Sequence, residues 1–174
     1  METAKEEQAV SLGKVLVFRA EKAFWACQLQ QVKEIVRASS ITPLPNSTDK
    51  VIGIINVRGD VIPVVDLWSN SPTPLPDQGQ KKMVIIVKEG EDCIGICVEK
   101  VLAIEDIHAF DLGDSVSQGK VPHSDIVSCS VYLSNSGFTP LVDVGLAMET
   151  IRAQGYSNSQ HQIENKHVSS AGGI

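Results

Sequence analysis

Histidines and cysteines are the first side chains to weigh for chemistry in this 174-residue chain, which has four of each. His108 follows Glu105 and Asp106, and an imidazole beside carboxylates can act as a base or hold a metal. No nucleophile motif, His-Glu-x-x-His pair or phosphate-cradling glycine loop accompanies it, and His161 and His167 fall in a polar tail. Cys27, Cys93, Cys97 and Cys129 sit in apolar, strand-like runs. Side chains alternate along an extended strand, so Cys93 and Cys97 share a face with Gly95, whereas zinc knuckles use the tighter Cys-x-x-Cys loop. The cysteines are therefore expected as small hydrophobes. Asp66, Asp114 and Asp143 fit turn caps or a helix start. No catalytic set, metal or cofactor site is expected, and Arg58 becomes the leading candidate: its guanidinium is a rigid fork of donors suited to carboxylates or carbonyls.

The element that must position Arg58 is Gly53-Ile-Ile-Asn-Val-Arg-Gly-Asp-Val-Ile-Pro-Val-Val-Asp-Leu67. Two apolar, β-type arms flank Arg58-Gly59-Asp60, and Gly59 can take the positive φ of a tight reversal, so the segment predicts a hairpin. Further strands are expected near 14–20, 23–29, 34–38, 82–88, 92–98, 101–107, 125–133 and 137–142. Pro63 points to an edge position or a bulge. Val144, Leu146, Ala147 and Ile151 are spaced for one face of a helix over 143–152. The proline-rich stretch 69–80 reads as a connection between a first β-rich half, 13–68, and a second, 81–142. Residues 1–12 and 153–174 read as disordered ends. Short strands with frequent turns allow a barrel or a sandwich.

Fifteen Lys and Arg against 21 Asp and Glu give a net charge of −6, which argues against nucleic acid and anionic membrane surfaces as partners. No run approaches the roughly 18 apolar residues of a membrane helix. The polar, acidic start lacks a secretion signal, so a cytoplasmic location is expected.

The Gly53–Leu67 block resembles the signature of the CheW family, adaptors that couple bacterial chemoreceptors to a histidine kinase. Val15–Phe18, Trp25–Leu29, the V-x-E-I element Val32–Ile35, Val84–Val87, Cys93–Val101 and Pro140–Asp143 are similar to further family elements in the same order, so the resemblance covers about 13–151. It implies an all-β fold of two five-stranded SH3-like barrels packed on a shared apolar core, closed by a short helix. It also implies a non-enzymatic adaptor whose partners are a chemotaxis-type histidine kinase, through its CheW-like regulatory domain, and the cytoplasmic tip of a chemoreceptor. The alternative is a small-ligand-binding double barrel without kinase partners.

By the same resemblance Arg58 contacts a partner, or else knits the two barrels together through loop carbonyls, with Gly53 and Gly59 positioning it. Val32 and Glu34 lie on an association surface, and alternation would put them on one face; the alternatives are core packing for Val32 and a solvated charge for Glu34. Val84, Gly95 and Ile104 match positions lining the second barrel and the inter-barrel groove, where core membership is the other reading. Lys100 stands where the family commonly has glycine, which bears on partner identity.

Overall fold

The computed structural model describes residues 11–44, 50–68, 82–108, 127–134 and 137–153. The connection 69–80, Pro45, Asp114, the polar tail and the side chains of His108 and Cys129 lie outside the described residues. Among the described residues ten strands and one α-helix follow in order: β1 Ser11–Ala20, β2 Ala23–Gln28, β3 Val32–Ala38, β4 Val51–Val57, β5 Asp60–Val65, β6 Lys82–Glu89, β7 Asp92–Val98, β8 Lys100–His108, β9 Val127–Ser134, β10 Gly137–Val142 and α1 Val144–Ala153. β1 begins inside the segment expected to be disordered, because Ser11 and Gly13 already pair with β8.

The strands form two curled, five-stranded sheets, ordered β8-β1-β2-β10-β9 and β3-β6-β7-β5-β4. This corrects the division into halves 13–68 and 81–142: β1 and β2 join the last three strands, while β3 to β7 form the other sheet. Prolines mark gaps in hydrogen-bond ladders, but they do not say which sheet receives the next strand. The chain changes sheets instead at the 3-10 turn Leu29–Gln31 and at Glu99, neither of which carries proline or glycine.

The two sheets share one topology. In each, an antiparallel hairpin (β1–β2 or β6–β7) is flanked by an antiparallel strand (β8 or β3) on one side and a parallel strand (β10 or β5) on the other, followed by its own antiparallel neighbour (β9 or β4). The first sheet is thus a circular permutation of the second, cut between β10 and β1.

Strands β1 and β6 explain their unbroken apolar runs by being buried on both faces, as happens when a strand has no solvent side. Leu16 and Phe18 of β1 meet Ile85 and Val87 of β6 in one large cluster between the sheets, with Trp25, Cys27, Trp68 and Ile96. The alternate residues Val15 and Val17 pack with Ala26, Ile107 and Leu141 inside the first barrel. Val84 and Ile86 pack with Ile55, Ile62, Val64 and Cys97 inside the second. Helix α1 adds Val144, Ala147, Met148 and Ile151 to the shared seam. Asp143 caps it, its Oδ1 accepting from the Leu146 N–H at 2.9 Å, and Arg152 pairs with Asp92 of β7.

The second barrel closes where Thr42, beyond β3, exchanges two backbone hydrogen bonds of 2.9 and 2.8 Å with Ile54 of β4. Gly53 permits that approach, since a Cβ there would lie 2.4 Å from the Thr42 carbonyl oxygen. Pro63 lies in β5, between β7 and β4, but the β5–β7 ladder begins only at Val64, so Pro63 precedes the paired stretch on that side. Pro63 opposes Ile54, whose N–H and C=O are both turned to Thr42, so this is a non-hydrogen-bonded pair and the missing proline donor costs no bond to β4.

Candidate interaction site at the β4–β5 hairpin

The hairpin turn is two residues long. Val57 pairs with Asp60, and the central residues Arg58 and Gly59 have φ of 55° and 99°. Both are positive, as the twist-matched two-residue turn of a hairpin requires. Asn56 secures it by accepting the Gly59 N–H on Oδ1 at 3.1 Å. Arg58, in a left-handed conformation that suits glycine better, is thereby held out from the barrel with its side chain 83% exposed.

Two ion pairs join this tip to β3. Arg58 Nη2 donates to Glu34 Oε2 at 3.3 Å, and Lys33 Nζ lies 3.5 Å from Asp60 Oδ2. The Arg58 contact therefore closes one barrel on itself and does not knit the two barrels together. Lys33 and Asp60 were absent from the expected site. Their signal was present in sequence: Lys33-Glu34 and Arg58-x-Asp60 offer the same order of charges, and each cation faces the other segment's anion.

Val32 and Glu34 do not share a face. Val32 pairs with Val87 but Glu34 with Ile86, so Lys33 is an extra residue that reverses the alternation. Val32 packs against the seam, and Glu34 turns to the Arg58 side. Val84 is fully buried inside the second barrel, which corrects its expected place at a partner surface. Gly95 opposes it: a Cβ there would meet Val84 Cγ1 at 2.6 Å. Ile104 is 56% exposed but belongs to β8 of the first sheet, not to the second barrel. Gly59, Glu34 and Arg58 thus meet at the hairpin-tip end of the second barrel, while Gly53 lies further back along β4 against Thr42, and Val84, Gly95 and Ile104 lie elsewhere.

The remaining chemistry is muted. Cys27, Cys93 and Cys97 are free thiols, and burial pushes Cys27 up to about 12 and Cys97 up to about 11, far from the range of a reactive thiolate. Among the described residues no group of His, Cys, Asp and Glu is placed to hold a metal ion. No described helix is long and apolar enough to cross a membrane.

Two equivalent β-barrels fused over an apolar seam, with a charged cluster carried on a hairpin tip, are the build of a module that holds other molecules. The CheW-like domain model matches residues 14–151, across both barrels, and the chain belongs to the CheW-like family. The family's members are non-enzymatic adaptors of chemotaxis-type signalling. The chain is 31% identical over 90 residues to the chemotaxis protein CheW of Thermotoga maritima, covering 52% of this chain and 59% of that protein. To CheW of Bacillus subtilis it is 22% identical, over 81% of this chain and 90% of the relative. To the protein PilI of Pseudomonas aeruginosa it is 26% identical, over 58% of this chain and 56% of the relative. The crystal structure of the scaffolding protein TtCheW from Thermoanaerobacter tengcongensis superposes with a TM-score of 0.62 at 21% identity, over 82% of this chain and 91% of that one. That likeness establishes the double-barrel fold.

Proposed function

We propose that this chain is a non-enzymatic adaptor that couples the cytoplasmic tips of chemoreceptors to a chemotaxis-type histidine kinase, in bacterial chemotaxis or pilus-driven motility signalling. The observation that carries this reading is the match of the family model across the whole double-barrel body, residues 14–151. The Glu34–Arg58 cluster supports it, because an exposed guanidinium preset by a tight turn can recognise a partner's carboxylates or carbonyls at little ordering cost. Its partners are the kinase's CheW-like regulatory domain and the receptor tip, and its place is the cytoplasm, at receptor arrays. Several modest contacts suffice for such an assembly, since each further one becomes effectively intramolecular.

The test is co-sedimentation of the purified chain with a chemotaxis-type kinase and a receptor cytoplasmic fragment, each alone and together. The reading expects retention of both and no ATP turnover by the chain itself. Retention of neither overturns it.

A further inference from the structure

We infer that Asn56 is the positioning residue for Arg58: its carboxamide holds the β4–β5 turn in a strained form that aims the guanidinium, and it acts through Arg58 rather than by touching the partner. The inference deepens the adaptor reading and rests on it. The arms of the hairpin do not need Asn56. Ile55, Ile62 and Val64 are sealed inside the second barrel and fix the arms, whereas Asn56 itself is exposed. Its Oδ1 accepts the Gly59 N–H at 3.1 Å, within the turn and one residue past Arg58.

Arg58 needs that support because an ordinary side chain in the left-handed region is strained. Asparagine followed by glycine is the favoured pair for a turn with both φ positive, yet here arginine takes the first place at φ 55°, and the asparagine stands two residues earlier. Two other described turns of this length supply a comparison. At Glu21–Lys22 two ordinary residues have φ of 46° and 65°, and Glu99 Oε1 accepts the Lys22 N–H at 3.2 Å. At Gly90–Glu91 only the glycine is left-handed, at φ 60°, and no described side chain accepts an amide of the turn. Each strained turn thus has a side-chain oxygen on the N–H of its second residue, and the turn eased by glycine has none. A strained arginine held by its own side-chain bond is poor design for stability, and its gain is a guanidinium that leaves the barrel in one direction. Ordering it before the partner arrives lowers the entropy lost on binding.

The experiment measures binding of the full chain to the receptor fragment and to the kinase for Asn56→Ala, Asn56→Asp, Arg58→Ala and the Asn56→Ala/Arg58→Ala double variant, with urea unfolding recorded for each. The partner scored is the one whose binding Arg58→Ala weakens. Asn56→Ala is expected to weaken it about fivefold, and Asn56→Asp, which keeps an oxygen within reach of the Gly59 N–H, to hold binding within about twofold of the unaltered chain. The double variant is expected to bind no worse than Arg58→Ala alone, since a residue that works through Arg58 has nothing to position once the guanidinium is gone. A loss from Asn56→Ala that persists in full without Arg58 overturns the inference. So does an Asn56→Ala chain that binds normally or fails to fold, or an Asn56→Asp chain that binds no better than Asn56→Ala. Arg58→Ala binding both partners like the unaltered chain overturns it too and leaves the adaptor reading standing, whereas an unaltered chain that binds neither partner removes both.

Discussion

Glu34 and Arg58 come from opposite ends of one sheet's strand order, β3 and the β4–β5 turn, and they meet at 3.3 Å because that sheet curls until its ends touch. The Lys33–Asp60 pair joins the same two segments, and further along β4 the backbone bonds of Thr42 with Ile54 bring the sheet's ends together as well. Being largely exposed on the arginine side, the pair is worth only about 0–1 kcal/mol of stability.

Folding and recognition can therefore be separated at Arg58. Asparagine tolerates a left-handed conformation and precedes glycine in the favoured two-residue turn, so Arg58→Asn removes the guanidinium while relieving backbone strain. The unfolding free energy from urea titration should stay level or rise, by up to about 1 kcal/mol, while kinase or receptor retention drops. A variant that unfolds early would show that the ion pair outweighs the strain.

The two close-approach glycines should differ in cost. Gly95→Ala forces a methyl against the side chain of Val84, which can shift, and should cost about 1–3 kcal/mol. Gly53→Ala meets the Thr42 carbonyl at 2.4 Å and the Ile41 side chain at 2.7 Å in a backbone of φ 153°. Since backbone yields only by breaking the barrel closure, Gly53→Ala should be the more destabilising in denaturant titrations.

The buried tryptophans offer a matched comparison. Trp25 and Trp68 pack on each other with ring centroids 5.3 Å apart, yet Trp25 Nε1 donates to the Ala20 carbonyl at 3.1 Å while Trp68 Nε1 is buried with no hydrogen-bond partner among the described residues. Phenylalanine costs both sites volume, but only Trp25→Phe breaks a hydrogen bond. Trp25→Phe should therefore be worse than Trp68→Phe by about 1 kcal/mol, read from their unfolding midpoints.

Alkaline stability follows from the thiols. Burial raises Cys27 from 9.0 to about 12 and Cys97 from 9.0 to about 11; for Cys97 the Lys82 charge opposes the rise and Asp66 adds to it. Above pH 9 the unfolded chain releases these protons while the native chain keeps them, so stability falls as pH rises and the fall levels off once the native thiols ionise. Urea midpoints measured from pH 8 upward should decline, with Cys27→Ala and Cys97→Ala each flattening the decline.

Strand identity was legible because the apolar runs and turn residues act locally: Val84–Val87, Asp92–Val98 and the Gly53–Leu67 block all become strands at or near the expected bounds. Helix α1 was legible in the same way, from its apolar spacing and Asp143. The place of Pro63 was not legible because it depends on where β5 begins to pair with β7, a long-range fact that no local rule contains. The V-x-E-I alternation misled because one inserted residue, Lys33, reverses every face downstream of it.

By itself the sequence determined which segments are strands, that they bury an apolar core, and which family signature they carry, since propensity and periodicity are written residue by residue. The tertiary structure alone decided that β1 and β2 complete the sheet of β8 to β10, that Val84 is sealed inside while Ile104 faces solvent, and that Arg58 meets Glu34. Those outcomes come from pairing across long stretches of chain, where the partner is selected by shared burial over the seam and leaves no mark in either segment alone.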